Sequence, residues 1–188
     1  GWTTVPTGAG QITVTGDAQS RGSLDGTTVA GSVTFSRRSM DNETMTVKAI
    51  DDVVAEGPHT GTITHAVTGT VVDPNYPASL AIGAVTANIT DNDTAGVTVS
   101  PATVSVSESG TTATYTVGLN TVPTGAVQIT GTADAQTQGS LDGTTFAASV
   151  TFSRDSMATR TITVKAIDDV VVEGAHTGTV THAVTGTV

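Results

Sequence analysis

The chain contains no cysteine, and aromatic residues make up only 3% of its 188 residues. Disulfide bonds, thiolate metal sites and cysteine nucleophiles are therefore excluded. With so few large side chains, the core must be built from valine, isoleucine, alanine and leucine, and we expect a modest stability per residue. No apolar run is long enough to cross a bilayer as a helix.

Basic residues are also scarce. Lysine and arginine number 7 against 17 aspartates and glutamates, which gives a formal net charge of -10. Such a chain repels phosphate backbones and anionic lipid, so binding to nucleic acid and charge-driven membrane docking are both disfavoured. The abundant residues are threonine, valine, alanine, glycine and serine, a composition typical of β-strands and turns.

The chain repeats itself. Val5–Ala9 recurs as Val122–Ala126, an offset of 122 − 5 = 117 residues, and this offset holds without a gap up to Val188. Residues 72–117 occur once. We therefore predict one repeat over 1–94 that lacks its first strands and another over 95–188 that lacks its last strand. A window cut from a longer tandem array explains this pattern, and a short protein whose partial repeats complete each other is the alternative.

Within one period we count about seven short strands separated by turns, and no segment holds a helical period. This pattern predicts an all-β sandwich for each repeat. Ala102–Val106 reads as a strand and Gln19–Gly26 as a loop. The junction Thr90–Thr94 has no Gly/Ser tether and predicts a stiff connection between repeats.

An acidic corner recurs between two predicted strands. It is Asp51-Asp52-Val-Val-Ala-Glu56 in the first repeat and Asp168-Asp169-Val-Val-Val-Glu173 in the second. Carboxylates gathered at such a corner can share a hard cation through their oxygens. Aspartate and glycine are also ordinary turn residues, so this stretch by itself favours a plain polar turn over a cation site.

Several segments in order resemble a known family. They are Ala95–Val99, Val104–Glu108, Thr112–Val117, the acidic corner at 167–173 and Ile89–Asp93. Together they resemble Calx-beta repeats, and most closely the variety found in tandem in large bacterial secreted and surface proteins. The resemblance implies tandem immunoglobulin-like Greek-key β-sandwiches of about seven strands. It also implies Ca²⁺ bound at one end of each domain, near the junction with the next.

The resemblance also implies a set of calcium ligands. In the first repeat they are Asp25, Asp51, Asp52, Glu56, Asp91 and Asp93, and in the second they are Glu108, Asp142, Asp168, Asp169 and Glu173. The first repeat has no counterpart of Glu108, and the second has none of Asp91 or Asp93. Each site is thus short of ligands within the sequence, and fewer carboxylates predict weaker binding.

No catalytic constellation is recognisable, and we expect the chain not to be an enzyme. His59 and His65 are six residues apart on one predicted strand face, about 20 Å, too far for one ion, so we interpret them as surface residues. No serine lies in a nucleophile elbow. The paired acids lack the aromatic walls that a sugar-cleaving cleft needs.

We therefore expect a structural repeat module of an extracellular or cell-surface adhesin, stalk or filament, rigidified by calcium. Its partners are neighbouring repeats or identical subunits, joined head to tail by strand contribution, with any host or cell-surface ligand bound elsewhere in the parent protein. The alternative is a carbohydrate- or protein-binding module. Gly22–Thr28 and Gly139–Thr145 are nearly identical, which favours a scaffold. An accessory domain of an enzyme would need a catalytic domain outside this window.

Overall fold

The computed structural model describes residues 10–37, 42–69 and 73–187. Their regular elements are all strands, in the order β1 (Gly10–Gly16), β2 (Ser20–Ser23), β3 (Ser32–Arg37), β4 (Thr46–Ala49), β5 (His59–Thr68), β6 (Val85–Ile89), β7 (Val97–Ser100), β8 (Thr112–Leu119), β9 (Val127–Ala133), β10 (Thr137–Ser140), β11 (Ser149–Arg154), β12 (Arg160–Ala166) and β13 (Val180–Thr187). The all-β prediction is confirmed. The chain divides into two units, 1–52 with 56–91 and 53–55 with 92–188.

The second unit is a sandwich of two antiparallel sheets, ordered β10-β12-β8-β7 and β11-β9-β13. Alternate residues of facing strands meet between the sheets, as the two-residue period of a strand requires. The buried cluster consists of Tyr115, Val117, Ile129, Val150, Phe152, Ile162 and Val164. Five of these seven are aliphatic, as the shortage of aromatic residues predicts.

The first unit holds a four-stranded sheet, β3-β1-β5-β6, and a two-stranded sheet, β2-β4. Its β1, β2 and β3 correspond to β9, β10 and β11 at the offset of 117 residues. The equivalent valines Val47 and Val164 have different surroundings. Val164 is 3% exposed, because β12 pairs with β8 as well as β10, whereas Val47 of β4 is 37% exposed.

Two predictions of local structure were wrong. Residues 19–26 were predicted to be a loop, but they contain the strand β2, whose equivalent in the second unit is β10. Both strands are polar, so no alternation of hydrophobic residues indicated them. The backbone of Gly22 pairs with Val47 on β4 and bridges to Ala30, which makes this segment extended. Residues 102–106 form no strand. Their alternation instead serves packing, because Val106 lies against the buried cluster of the second unit.

Candidate metal centre

The acidic corner of the second unit brings Glu173 next to a histidine. The corner lies between β12 and β13, and Gly174 adopts a φ of +70°, a left-handed conformation that favours glycine. Beyond this turn His176 Nδ1 lies 3.0 Å from the carbonyl oxygen of Gly174, and His176 Nε2 lies 3.4 Å from Glu173 Oε2. The turn therefore folds residues 173 and 176 onto each other.

Glu108 reaches the same place from the turn that precedes β8. Its Oε1 lies 4.0 Å from His176 Nε2. The potential ligand atoms of Glu108, Glu173 and His176 all lie within 4.8 Å of one another, and their side chains are between 26% and 34% exposed. Gln136 Nε2 donates to Glu173 Oε1 at 3.4 Å. Four polar side chains from three separate segments thus converge at one end of the sandwich.

Electrostatics tie His176 to this cluster. The Gly174 carbonyl, followed by the charges of Glu173, Glu108 and Asp169, raises the pKa of His176 above its ordinary value of 6.5. A protonated imidazole here balances the two glutamates when no metal cation does. The cluster is therefore an ion-pair network that can exchange a proton for a cation.

The donor set fits a hard divalent cation. Glu108 and Glu173 offer up to four carboxylate oxygens, and calcium prefers such ligands in sets of six to eight. The Gln136 amide can present its oxygen in place of its nitrogen. Backbone oxygens and water would have to complete the shell, which is typical of a weak site rather than a tight one.

Asp134 positions this cluster, and sequence reasoning did not single it out. Its Oδ1 accepts hydrogen bonds from Gln136 N and Thr137 Oγ1, and its Oδ2 accepts one from Thr179 N at 2.6 Å. It ties the turn that carries Gln136 to the segment that follows His176. The available signal was its recurrence at the offset of 117 residues as Asp17, which makes the equivalent bonds to Gln19, Ser20 and Thr62.

The first unit has half of this arrangement. Glu56 Oε2 lies 3.4 Å from His59 Nε2, and Gln19 Nε2 donates to Glu56 Oε1 at 3.2 Å. Asp91 lies nearby, and its Oδ2 accepts hydrogen bonds from Glu56 N at 2.6 Å and Gly57 N at 2.7 Å. Asp91 therefore fixes the backbone of the acidic corner.

Two predicted ligands lie elsewhere. Asp25 Oδ1 accepts hydrogen bonds from Ser23 Oγ, Thr27 N and Thr28 N within its own loop. Asp142 Oδ1 makes the equivalent bonds to Ser140 Oγ, Thr144 N and Thr145 N. The backbone N–H groups of Thr28 and Thr27, and then the Ser23 hydroxyl, hold the pKa of Asp25 well below its usual range. These geometries are those of loop-stabilising carboxylates.

The remaining predicted ligands stay outside the cluster. Asp169 Oδ1 accepts a hydrogen bond from Val171 N at 2.7 Å, and its charge acts on His176. Asp51, Asp52 and Asp168 are exposed and Asp93 is partly buried. Among the described residues, one group of three acidic or histidine side chains has ligand atoms close enough together to share a metal ion, and it consists of Glu108, Glu173 and His176.

His176 and Gln136 are the cluster residues that the sequence interpretation does not name, since it considers only His59 and His65 among the histidines. The signal was Glu-x-x-His directly after the acidic corner, present at Glu56/His59 and Glu173/His176. The six-residue spacing along a strand excludes two histidines as ligands of one ion. It says nothing about whether a histidine and a glutamate meet across a turn.

Two comparisons place the chain. The profile of the Calx-beta domain family matches residues 10–86 and, again, residues 90–183. A search of curated proteins found no match. No helix among the described residues is long and apolar enough to cross a membrane. The resemblance to Calx-beta repeats is confirmed, and the chain belongs to the Calx-beta domain family, whose profile it matches twice in tandem.

Proposed function

We propose that this chain is a structural module of an extracellular adhesin, stalk or filament, stiffened by calcium at the Glu108–Glu173 cluster. The tandem match to Calx-beta domains carries this proposal, because a repeated β-sandwich is the unit from which long surface proteins are built. Neighbouring repeats or identical subunits are its proposed partners.

The loop chemistry supports a scaffold over a recognition module. Asp25 and Asp142 anchor equivalent loops through the same three kinds of hydrogen bond. A binding surface evolves by changing loops on a constant framework. Here the loops are kept alike, so we favour a mechanical role over binding of a sugar or a protein.

Calcium would be held by the carboxylates of Glu108 and Glu173 and would neutralise them. The chain's own residues do the rest. Asp134 fixes the turn that bears Gln136, and Gly174 fixes the turn between Glu173 and His176. The formal net charge of -10 makes neutralisation of clustered acids favourable for the folded state.

Thermal unfolding with calcium, and then with excess chelator, tests the proposal. We expect the melting temperature to rise with free calcium, by the equivalent of about 2.7 kcal/mol at a hundred times the dissociation constant. Glu173→Gln should abolish the rise. Glu56→Gln is the matched control, because Glu56 has the equivalent neighbours, Gln19 and His59, but no partner equivalent to Glu108 among the described residues.

The control should retain the calcium response of the parent chain. An unchanged melting temperature at millimolar calcium would refute the calcium role. An equal loss of response in both variants would refute the assignment to this cluster.

A further inference from the structure

The second unit has an open sheet edge that is covered in the first. In the first unit β5 pairs with β6, from His59↔Ile89 to Ile63↔Val85. The equivalent residues 176–180 have no strand partner on this edge among the described residues. As a result β13 begins at Val180, whereas β5 begins at His59, four residues earlier in the repeat.

Equivalent side chains show what the missing cover does. Val67 is 3% exposed, because it packs against the buried ring of Tyr76. Its equivalent, Val184, is 58% exposed. Ile63 is 2% exposed, whereas its equivalent, Val180, is partly exposed. The inward face of β5 is thus covered by β6 and Tyr76, whereas the equivalent face of β13 is exposed.

A cavity marks the place of the missing strand. It has a volume of about 440 Å³, and the inward-facing residues along the open edge line one side of it. These are His176, Gly178, Val180 and His182, and Tyr115 and Val164 of the facing sheet lie opposite. In the first unit the inward face of β6 carries Ile89, which is 8% exposed, and Ala87. Tyr115, Val164 and Val180 supply apolar lining that the apolar side chains of such a strand could contact, beside the polar side chains of His176 and His182. Residues 101–106 line a further part of the cavity.

The open edge also presents two backbone donors. In the first unit Asp91, two residues after β6, accepts hydrogen bonds from Glu56 N and Gly57 N. The equivalent N–H groups, of Glu173 and Gly174, donate to no acceptor among the described residues. A strand of the β6 type would bring a carboxylate to both.

We propose that the open edge of the second unit binds an antiparallel segment of a further repeat, with the sequence pattern of Asp73–Asp93. The occupant is specified at three points. A Tyr76-type ring covers Val184, a β6-type strand pairs with residues 176–180 and fills the cavity with its isoleucine, and an Asp91-type carboxylate caps Glu173 N and Gly174 N. Strand addition of this kind takes its affinity from main-chain hydrogen bonds and its specificity from alternate side chains.

This inference deepens the structural role proposed above, but it does not depend on calcium. A synthetic peptide of residues 73–93 is titrated into the full chain by calorimetry, with calcium in one series and chelator in the other. Saturable one-to-one binding in chelator supports the strand proposal, whether or not calcium changes the melting temperature. Absence of binding up to about 1 mM peptide in both series overturns it.

Hydrogen exchange locates the bound peptide. We expect slower exchange at residues 176–180 and unchanged exchange at His59–Ile63, whose edge is already occupied by β6. Slower exchange on the outer edge of β11 instead would overturn the proposal. So would formation of dimers by the chain alone that protect 176–180 and that the peptide does not dissociate, because the occupant would then be a second copy's edge.

Matched variants test specificity. Val184→Asp changes an exposed side chain, so the chain should fold as before, yet its peptide affinity should fall at least tenfold. Val29→Asp adds the same charge at a 40%-exposed valine of the first unit and should bind like the parent. A peptide with Ile89→Asp should fail to bind. Equal affinity of the Val184→Asp and parent chains would overturn the assigned register.

Discussion

Single carboxylates perform different tasks in these loops, although the sequence makes them look alike. The carboxylate of Asp142 accepts hydrogen bonds from its own loop, whereas the carboxylate of Glu173 lies beside Glu108 and His176. The partners of Asp142 lie two or three residues away in its own loop, whereas the residues around Glu173 are 3, 37 and 65 positions away along the chain. Local hydrogen bonding thus decides which acids remain available to a cation.

Asp142→Ala should lower the melting temperature of the chain, because it leaves Thr144 N and Thr145 N without their acceptor. The Thr145 and Thr144 N–H groups, and then the Ser140 hydroxyl, lower the pKa of Asp142. Its contribution is therefore present above the unfolded value of 3.8 and is lost as the pH falls below it. Asp168→Ala is the control and should leave thermal unfolding nearly unchanged. A larger effect for Asp168→Ala would contradict the assignment.

His176 and His182 should separate in a proton titration followed by NMR. The Gly174 carbonyl and then the nearby carboxylates raise the pKa of His176 above 6.5, whereas burial lowers the pKa of His182, whose Nε2 lies 2.8 Å from the Tyr115 hydroxyl. His176 should therefore stabilise the fold below pH 6.5 and lose this contribution as the pH rises through its folded pKa. His182 acts oppositely, since stability falls as the pH drops below 6.5.

Calcium should lower the pKa of His176 and leave that of His182 unchanged, because the cation takes the place of the proton as the counterion of Glu108 and Glu173. If the order of the two histidine pKa values were reversed, the ion-pair network would be refuted.

Tyr115 should make the stability of the fold depend on pH in the alkaline range as well. Burial raises the pKa of its hydroxyl to about 12, so stability should decline above pH 10.

At the scale of the element, a strand's neighbours decide whether its side chains are core or surface. β4 and β12 carry equivalent residues, but β12 has partners on both edges. The sequence of a strand fixes which residues alternate, and its pairing fixes how deeply the inward set is buried.

Val164→Ala should therefore cost about 2 kcal/mol or more, from two lost methyl groups and the cavity that they leave. Val47→Ala should cost well under about 1 kcal/mol, because Val47 is 37% exposed. Chemical denaturation of both variants measures the difference. Equal costs would mean that β4 is covered in solution.

At the scale of the whole molecule, the two units differ because equivalent strands have different neighbours in each. The second unit has seven buried hydrophobic residues in one cluster, whereas the cluster found among the described residues of the first unit consists of Val67 and Tyr76, at positions that have no equivalent in the larger cluster. Each unit therefore shows a surface that is covered in the other.

Appending a second copy of Val72–Asp93 after Val188 should stabilise the second unit. It would cover Val184 and Val180, and full burial of such a side chain is worth about 1.5–3 kcal/mol. Calorimetry of the extended and parent chains measures the gain. The control carries the same appended copy with the residues equivalent to Tyr76 and Ile89 changed to serine. A gain of the same size in the control would show that the segment acts through chain length alone.

Much of this protein could be predicted from the sequence. The composition rich in threonine, valine and glycine and the pattern of short strands and turns predicted the all-β fold. The offset of 117 residues predicted the two copies, and the motif order predicted the family. These properties follow from the secondary-structure preferences of single residues and from repetition along the chain, both of which can be read from the sequence directly. The sequence also singled out Glu108 and Glu173.

The tertiary structure decided the rest. It brought His176 and Gln136 to those glutamates and separated Asp25 and Asp142 from them. It extended the polar strands β2 and β10, and it left the edge of β13 open while β5 is covered. These outcomes depend on which segments meet across a turn or a sheet, and a linear pattern does not state a distance between residues far apart in the chain.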